Sequence, residues 1–302
     1  MNFIVCGDRL DFTFSENIAK KIGGTLFYPE IVVFPDGEMR VSVHNQLVGK
    51  EVLLVKQYQS GDFNSEILKT AFIVDALKRA GAKKIIGFFP YFPYVRSDHQ
   101  KKTGEAVNLE VIARLFESAG IHEIITVDPH TAKFSEFFTV PVTTLSTTLL
   151  FADEIGKTIK NKPFSLVTPD GGGVRLIQPL ADIFRHASIV KISKERYPDG
   201  SVLATDVDGP VEKICVIVDD IIATGATIYE AIKILKKKGA REFYIFATHG
   251  VFSKNSSHNL DDSDIKKIFV SDSLIFNSDD IKNIKKITLV ELLVSYIKTS
   301  SV

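Results

Sequence analysis

Two hydrophobic rhythms alternate along the chain. The runs EVLLV (51–55), KIIGFF (84–89), EIITV (123–127), FSLVT (164–168), ICVIV (214–218) and FYIFAT (243–248) are apolar nearly throughout. That pattern predicts short strands buried on both faces. Between them, SEILKTAFIVDALKRAG (65–81), NLEVIARLFESAG (108–120), GGVRLIQPLADIF (172–184) and TIYEAIKILKKKG (227–239) space their apolar residues at three and four. These predict amphipathic helices that stop at a glycine or a polar turn. Strand, loop, helix, strand in repetition is the mark of parallel sheets with crossover helices, an α/β fold.

One element junction occurs twice. ALKRAGAKKII (76–86) aligns without a gap on ILKKKGAREFY (234–244), each a helix end, a glycine stop and the entry to a strand. The pair predicts two related α/β halves, each a mainly parallel sheet flanked by helices, meeting near VPVTTLSTT. The expected domains are 1–145 and 146–302, and a chain of 302 residues exceeds what one core of ordinary size needs. The first half's loop KQYQSGDFNSE has no paired acids whereas the second has Asp219 and Asp220, so the second is expected to keep the chemistry.

Composition narrows the class. Hydrophobic residues make up 45% and charged residues 25%, as in globular proteins generally, and 37 basic side chains balance 37 acidic ones. Zero net charge removes the electrostatic case for a nucleic-acid or membrane partner. The opening MNFIVCGDRL has no basic region before an apolar run, and IIGFFPYFPYV is broken by Pro90 and Pro93, so neither a signal peptide nor a membrane span is expected. Cys6 and Cys215 lie in apolar runs without a CxxC partner and are expected to be buried free thiols, which suits the cytoplasm. Lysine-rich KILKKKG and KNIKKI are expected to be solvated faces.

Ligands of open parallel sheets bind where strands end. Here those positions carry DDIIATGAT after ICVIV, PDGGGVR after FSLVT, DPHTAKF after EIITV and PYFPYVRSDHQKKTGE after KIIGFF. In the first, Thr224, Gly225, Ala226 and Thr227 stand just before a helix, where backbone amides and hydroxyls can hold an anion. No lysine accompanies them, so this is not a Walker loop; the chain's one GK[ST], at 156–158, has Phe151 in place of the first glycine. Asp219 and Asp220 would repel a phosphate, but they suit ribose hydroxyls lying beside it, directly or through magnesium.

VIVDDIIATGATIYEA (216–231) resembles the 5-phosphoribosyl 1-diphosphate motif of the type I phosphoribosyltransferase fold. Together with FPDGEMRVSV (34–43), YFPYVRSDHQ (91–100), VDPHTAKFSEFF (127–138), TPDGGGVR (168–175) and KISKERYPDG (191–200), it makes the chain similar to the ribose-phosphate diphosphokinases over nearly its whole length. That resemblance implies two phosphoribosyltransferase-like domains and transfer of the β,γ-diphosphoryl group of ATP to ribose 5-phosphate. Simple phosphoribosyltransferases, which consume the product, have one such domain; they are the nearest alternative, and a silent regulatory homologue is the other.

The same resemblance implies roles. Asp219, Asp220, Ala223, Thr224, Gly225, Ala226 and Thr227 would bind ribose 5-phosphate, and Asp170 with Gly171–Gly173 would face the diphosphate. Phe34, Asp36, Glu38, Arg96, Ser97, Asp98 and His130 would serve ATP, the first three from a hairpin reaching a neighbouring subunit. His130 and Asp170 would hold Mg2+, and Lys194 and Arg196, on a mobile loop, would act in catalysis. A dimer unit, or a hexamer built from it, follows. Ser97 and Gly171 depart from residues frequent in the family, which bears on subclass.

Overall fold

The computed structural model describes residues 3–7, 10, 12–44, 46–169, 174–196, 202–253, 256–277 and 281–300, with backbone alone at 174, 194–196 and 202–205. The chain forms two compact units. The first comprises 1–145, 273–275 and 289–302; the second comprises 146–272 and 276–288. The chain thus returns to the first unit twice after leaving it, which a linear division at 145/146 does not provide for.

In the first unit the elements are β1 (Ile4–Cys6), α1 (Phe12–Ile22), β2 (Thr25–Phe27), β3 (Glu30–Val33), β4 (Met39–Ser42), β5 (Glu51–Val55), β6 (Tyr58–Gln59), α2 (Phe63–Arg79), β7 (Lys84–Phe89), α3 (Asn108–Ala119), β8 (Glu123–Val127) and β9 (Val142–Leu145). Six strands form one parallel sheet in the order β2-β1-β5-β7-β8-β9. Its central strands are buried almost end to end, because crossover helices cover a parallel sheet on both faces. Among the described residues β3 and β4 pair only with each other, antiparallel.

The second unit holds α4 (Thr148–Ile159), β10 (Ser165–Thr168), α5 (Val174–Ile183), β11 (Ser188–Arg196), β12 (Val202–Asp208), β13 (Ile214–Ile222), α6 (Ala226–Lys237), β14 (Glu242–Gly250), α7 (Ser256–Asn259), β15 (Ile265–Ser271) and, after the short β16 (Leu274–Ile275), β17 (Ile284–Ile287). Its sheet runs β12-β11-β10-β13-β14-β15-β17, parallel except for the β11–β12 pair. KNIKKI therefore contributes an edge strand, with its lysines outward and Ile284 and Ile287 half-buried. β16 pairs with β6, and the final helix α8 (Val290–Ser300) packs on α1, tied by Lys21 to Glu291.

Without β12, the two sheets have the same strand order and direction. The repeated sequence fixes the equivalence. Gly81 (φ 90°) and Gly239 (φ 104°) each follow a helix end in the left-handed region, which only glycine enters cheaply. Lys84 then corresponds to Glu242. Since Glu51 pairs with Lys84 and Ile214 with Glu242, counting forward along the strands places Lys56 where the second unit has Asp219, and Gln57 where it has Asp220. Both units also turn the corner after their fifth strand alike: Asp128 donates its amide to Leu145 and Asp272 donates its amide to Ile287.

Candidate functional site

β13 runs further than its apolar stretch suggests. Asp219 and Asp220 were expected in a loop, but Asp219 pairs with Ala247, and the ladder with β14 continues to Ile222 opposite Gly250. The partner strand is long enough to carry it, while β10 stops pairing at Ile217. Among the described residues, the acids therefore sit on an overhang that has a strand neighbour on one side only. Each is 5% exposed, and burying carboxylates is costly unless they are hydrogen-bonded; Asp219 accepts one such bond from the amide of Asp220, 2.9 Å. Strand alternation sends the two side chains to opposite faces.

The loop that follows has a defined backbone. Gly225 (φ 75°) precedes α6, and its carbonyl accepts the amide of Tyr229 at 2.9 Å. Thr224 Oγ1 accepts the amide of Ala226 at 3.3 Å. The amides of Ala223, Thr224 and Gly225 meet no acceptor among the described residues. Successive unpartnered amides at the positive end of a helix form an anion cradle. Thr224 and Ala226 are exposed, and Ala223 and Thr227 half-buried.

Other strand ends of this unit carry the remaining expected groups. Asp170 and Gly171–Gly173 lie outside the described residues. Lys194 and Arg196 were expected on a loop, but their backbone belongs to β11, paired with Ala204 and Val202, because the apolar VLATDVD strand folds back on it; their side chains are not described. A cleft of about 260 Å³ next to the end of β10 is lined in part by Thr168, Gln178, Lys191 and Asp208.

In the first unit, two loops are brought together. Phe92 of the YFPYVRSD segment packs edge-on against Phe134 (5.1 Å) and Phe138 (5.5 Å) of the segment after DPH, and against Phe116 of α3 (5.7 Å). Ser97 N–H donates to Tyr94, and Ser97 in turn accepts from Leu109 at the start of α3. Above this aromatic floor Asp98 hydrogen-bonds His99 Nδ1 at 2.6 Å and also Thr131. Burial pushes the Asp98 carboxyl up, but the bonds from His99 and Thr131 outweigh it and hold the group below the usual carboxylate range. Asp128 is buried and strained (φ 35°), while neighbouring His130 and Arg96 are exposed. Strain at such a corner marks a backbone that the surroundings over-determine.

Phe34, Asp36 and Glu38 form the tip of the β3–β4 arm. Phe34 and Glu38 close it through an amide-to-carbonyl bond of 2.8 Å, and Asp36 Oδ1 accepts the amide of Glu38 at 3.1 Å. No hydrogen bond or ion pair among the described residues joins these three to Arg96, Ser97, Asp98 or His130. Val33 is 65% exposed and Phe34 40%.

Several residues next to these sites give no signal in the sequence. Thr131 and His99 hold Asp98; His249, buried in β14 opposite Ile221, lies on the strand beside the acids; Ser253 and Asn259 bind the loop from behind. Except for His99, which adjoins Asp98, each acts through a neighbour distant in sequence, which no local pattern records.

A duplicated parallel α/β frame, with paired acids and an amide cradle on the middle strand of one copy, defines a protein of the type I phosphoribosyltransferase class. The model of the N-terminal domain of ribose phosphate pyrophosphokinase matches residues 4–120, and that of the phosphoribosyl synthetase-associated domain matches 182–300. The chain is 35% identical over 273 residues to ribose-phosphate pyrophosphokinase 2 of Enterococcus faecalis, covering 90% of this chain and 84% of that one. It is 34% identical over 284 residues to ribose-phosphate pyrophosphokinase 1 of Streptococcus pneumoniae, covering 92% and 88%. The crystal structure of phosphoribosylpyrophosphate synthetase from Mycobacterium smegmatis matches at TM-score 0.91 and 27% identity, over 100% of this chain and 99% of that one. The chain belongs to the ribose-phosphate pyrophosphokinase family.

Proposed function

We propose that this protein transfers the β,γ-diphosphoryl group of ATP to the anomeric hydroxyl of ribose 5-phosphate, giving 5-phosphoribosyl 1-diphosphate and AMP. The observation that carries the reading is the overhang of β13, where two buried acids lead into three amides that meet no acceptor among the described residues. A sugar phosphate satisfies both, its 5-phosphate on the loop of Ala223, Thr224, Gly225, Ala226 and Thr227 and its hydroxyls on Asp219 and Asp220.

The reaction joins two anions, so positioning and charge stabilisation supply most of the rate. Arg96 offers a planar pair of donors to ATP phosphates, next to Ser97, Asp98 and His130. Phe34, Asp36 and Glu38 serve ATP from the exposed arm of a second copy, which makes a dimer the smallest working unit and a hexamer a larger one. Lys194 and Arg196 stabilise charge that grows on the transferred group.

Among the described residues no group of three or more His, Cys, Asp or Glu side chains could form an all-protein metal cage. That fits magnesium, which keeps several waters and is held by one or two protein groups together with substrate phosphates. His130 and Asp170 would hold it, and when bound it would neutralise phosphate charge. Among the described residues no helix is long and apolar enough to cross a membrane; two buried free thiols suit the cytoplasm.

The test is to incubate the purified protein with magnesium, ATP and ribose 5-phosphate, and to separate the adenine nucleotides by ion exchange. AMP formed only in the presence of ribose 5-phosphate is the expected result. ADP in its place would refute diphosphoryl transfer, and binding of 5-phosphoribosyl 1-diphosphate without turnover would favour the transferase or regulatory reading.

A further inference from the structure

The segment after β14 lies against the back of the anion loop and occupies its carbonyls in order. Ile222 accepts the amides of Val251 (2.9 Å) and Phe252 (3.1 Å), and Ala223 accepts the amide of Ser253 (3.0 Å). The carbonyl of Thr224 accepts the side-chain amide of Asn259, Nδ2 to O 2.8 Å. In a trans peptide the carbonyl and the following N–H point in opposite directions. Each carbonyl drawn toward this segment therefore turns the next amide, of Ala223, Thr224 or Gly225, away from it.

Three of these bonds come from backbone amides, which almost any sequence supplies. The fourth depends on one side chain, and it falls at the least determined peptide. Flipping the Thr224–Gly225 peptide changes ψ of Thr224 and φ of Gly225, and glycine accepts either sign of φ. The loop needs glycine there for its φ of 75°, yet that same glycine leaves the peptide's orientation open. Leu260, 3% exposed, closes the space behind it: a Cβ on Gly225 would lie 3.0 Å from Leu260 Cγ. The segment is anchored at its far end as well, where Lys236 of α6 binds Asp262 and Asp264 at 2.8 Å each.

We infer that Asn259 is a positioning residue for ribose 5-phosphate binding, fixing the Thr224–Gly225 peptide so that the Gly225 amide faces the sugar's phosphate. Asn259 has this role on the reading proposed above, that the loop seats the sugar phosphate. A neutral hydrogen bond that selects one of two peptide orientations is worth roughly 5- to 10-fold in affinity.

Steady-state kinetics of Asn259→Asp, Asn259→Ala and Asn259→Gln, with Thr227→Val as a probe of the loop itself, test the assignment. Asn259→Asp keeps the shape but replaces the donor with an acceptor. It should raise KM for ribose 5-phosphate about 10-fold, with KM for ATP and the thermal unfolding midpoint nearly unchanged. Asn259→Gln, which keeps the donor, should recover part of the loss. If Thr227→Val raises that KM while Asn259→Asp and Asn259→Ala leave it unaltered, Asn259 has no positioning role. If none of the variants alters it, the loop is not the sugar-phosphate seat and both readings fall. A fall in kcat with both KM values unchanged, or a lowered midpoint that Asn259→Gln does not recover, would mark a merely structural residue. Should Asn259→Asp not fold, Asn259→Ala carries the same comparison.

Discussion

Glu66→Gln should be among the most destabilising single substitutions in the first unit. Lys56 and Glu66 are 0% and 2% exposed and ion-paired, and Lys69, 17% exposed, binds the other carboxylate oxygen. One buried carboxylate thus serves two ammonium groups. Removing its charge while keeping its shape breaks a fully buried ion pair of Lys56, and breaking such a pair costs about 3–5 kcal/mol. At roughly 2–4 °C per kcal/mol for a unit of this size, the unfolding midpoint should fall by about 6–20 °C. The chain has no tryptophan, so far-UV circular dichroism is the suitable readout. The double variant Lys56→Met with Glu66→Leu removes both charges and should recover most of the loss, because replacing a buried pair by apolar groups of similar volume is often neutral. A Glu66→Gln protein that unfolds at the parent temperature would refute the reasoning. So would a double variant no better than the single, since the cost would then lie in packing.

Four further outcomes are expected. Asp220→Asn should raise KM for ribose 5-phosphate by roughly 10- to 100-fold, the loss of one charge-assisted hydrogen bond, and leave the unfolding midpoint near the parent's; an unchanged KM would remove the acid from the sugar site. The Cys215 thiol, pushed up to about 12 by burial and then by Glu212, should resist alkylation at pH 8 in the native protein and react only on unfolding, which mass spectrometry of the labelled peptide reads directly. Asp98 titrates below its ordinary range, so the stability it lends is present above the unfolded value and lost as pH falls through the lower folded one; His99→Ala should move that loss to higher pH in acid-unfolding curves. Gly250→Ala should destabilise by about 1–3 kcal/mol, because its new methyl would lie 2.3 Å from the Phe252 ring, and urea denaturation would show it.

The sheets were legible because their strands are buried on both faces and therefore apolar throughout: EVLLV, KIIGFF, EIITV and ICVIV all lie in central strands. Edges were harder. TLF at 25–27 is too short to show a period, as is IVC at 4–6 on the strand beside it, and Lys285 and Lys286 read as a charged surface because both are exposed on an edge strand. The extent of β13 was hidden for another reason. Hydropathy ends at Val218, but strand pairing ends at Ile222, since β14 pairs on with Asp219, Ile221 and Ile222. The acids and the TGAT loop stood out by residue type. Asn259, Ser253 and Thr131 did not, because what each one does depends on a contact across the fold.

The duplication explains why only one half retains an open cradle. Read back along the helix from the shared glycine, Glu66 of α2 corresponds to Thr224 and Lys69 to Thr227. α2 begins at Phe63, five residues earlier by that count than α6 at Ala226. The stretch that is a loop in the second unit is therefore helix in the first, where the amide of Glu66, the counterpart of Thr224, donates to Asp62 at 3.2 Å. The acid at the strand end has become Lys56, and the position of the loop's first threonine has become a carboxylate. The first unit thus supplies its own anion at the helix start, where the dipole favours it, and its own cations to meet it. At that position the Glu66 carboxylate already stands where an anion would, buried against Lys56. In the second unit the amides of Ala223, Thr224 and Gly225 and the carboxylates of Asp219 and Asp220 present donors and acceptors that a phosphorylated sugar can satisfy. The same frame is self-completed in one copy and left to be completed by substrate in the other.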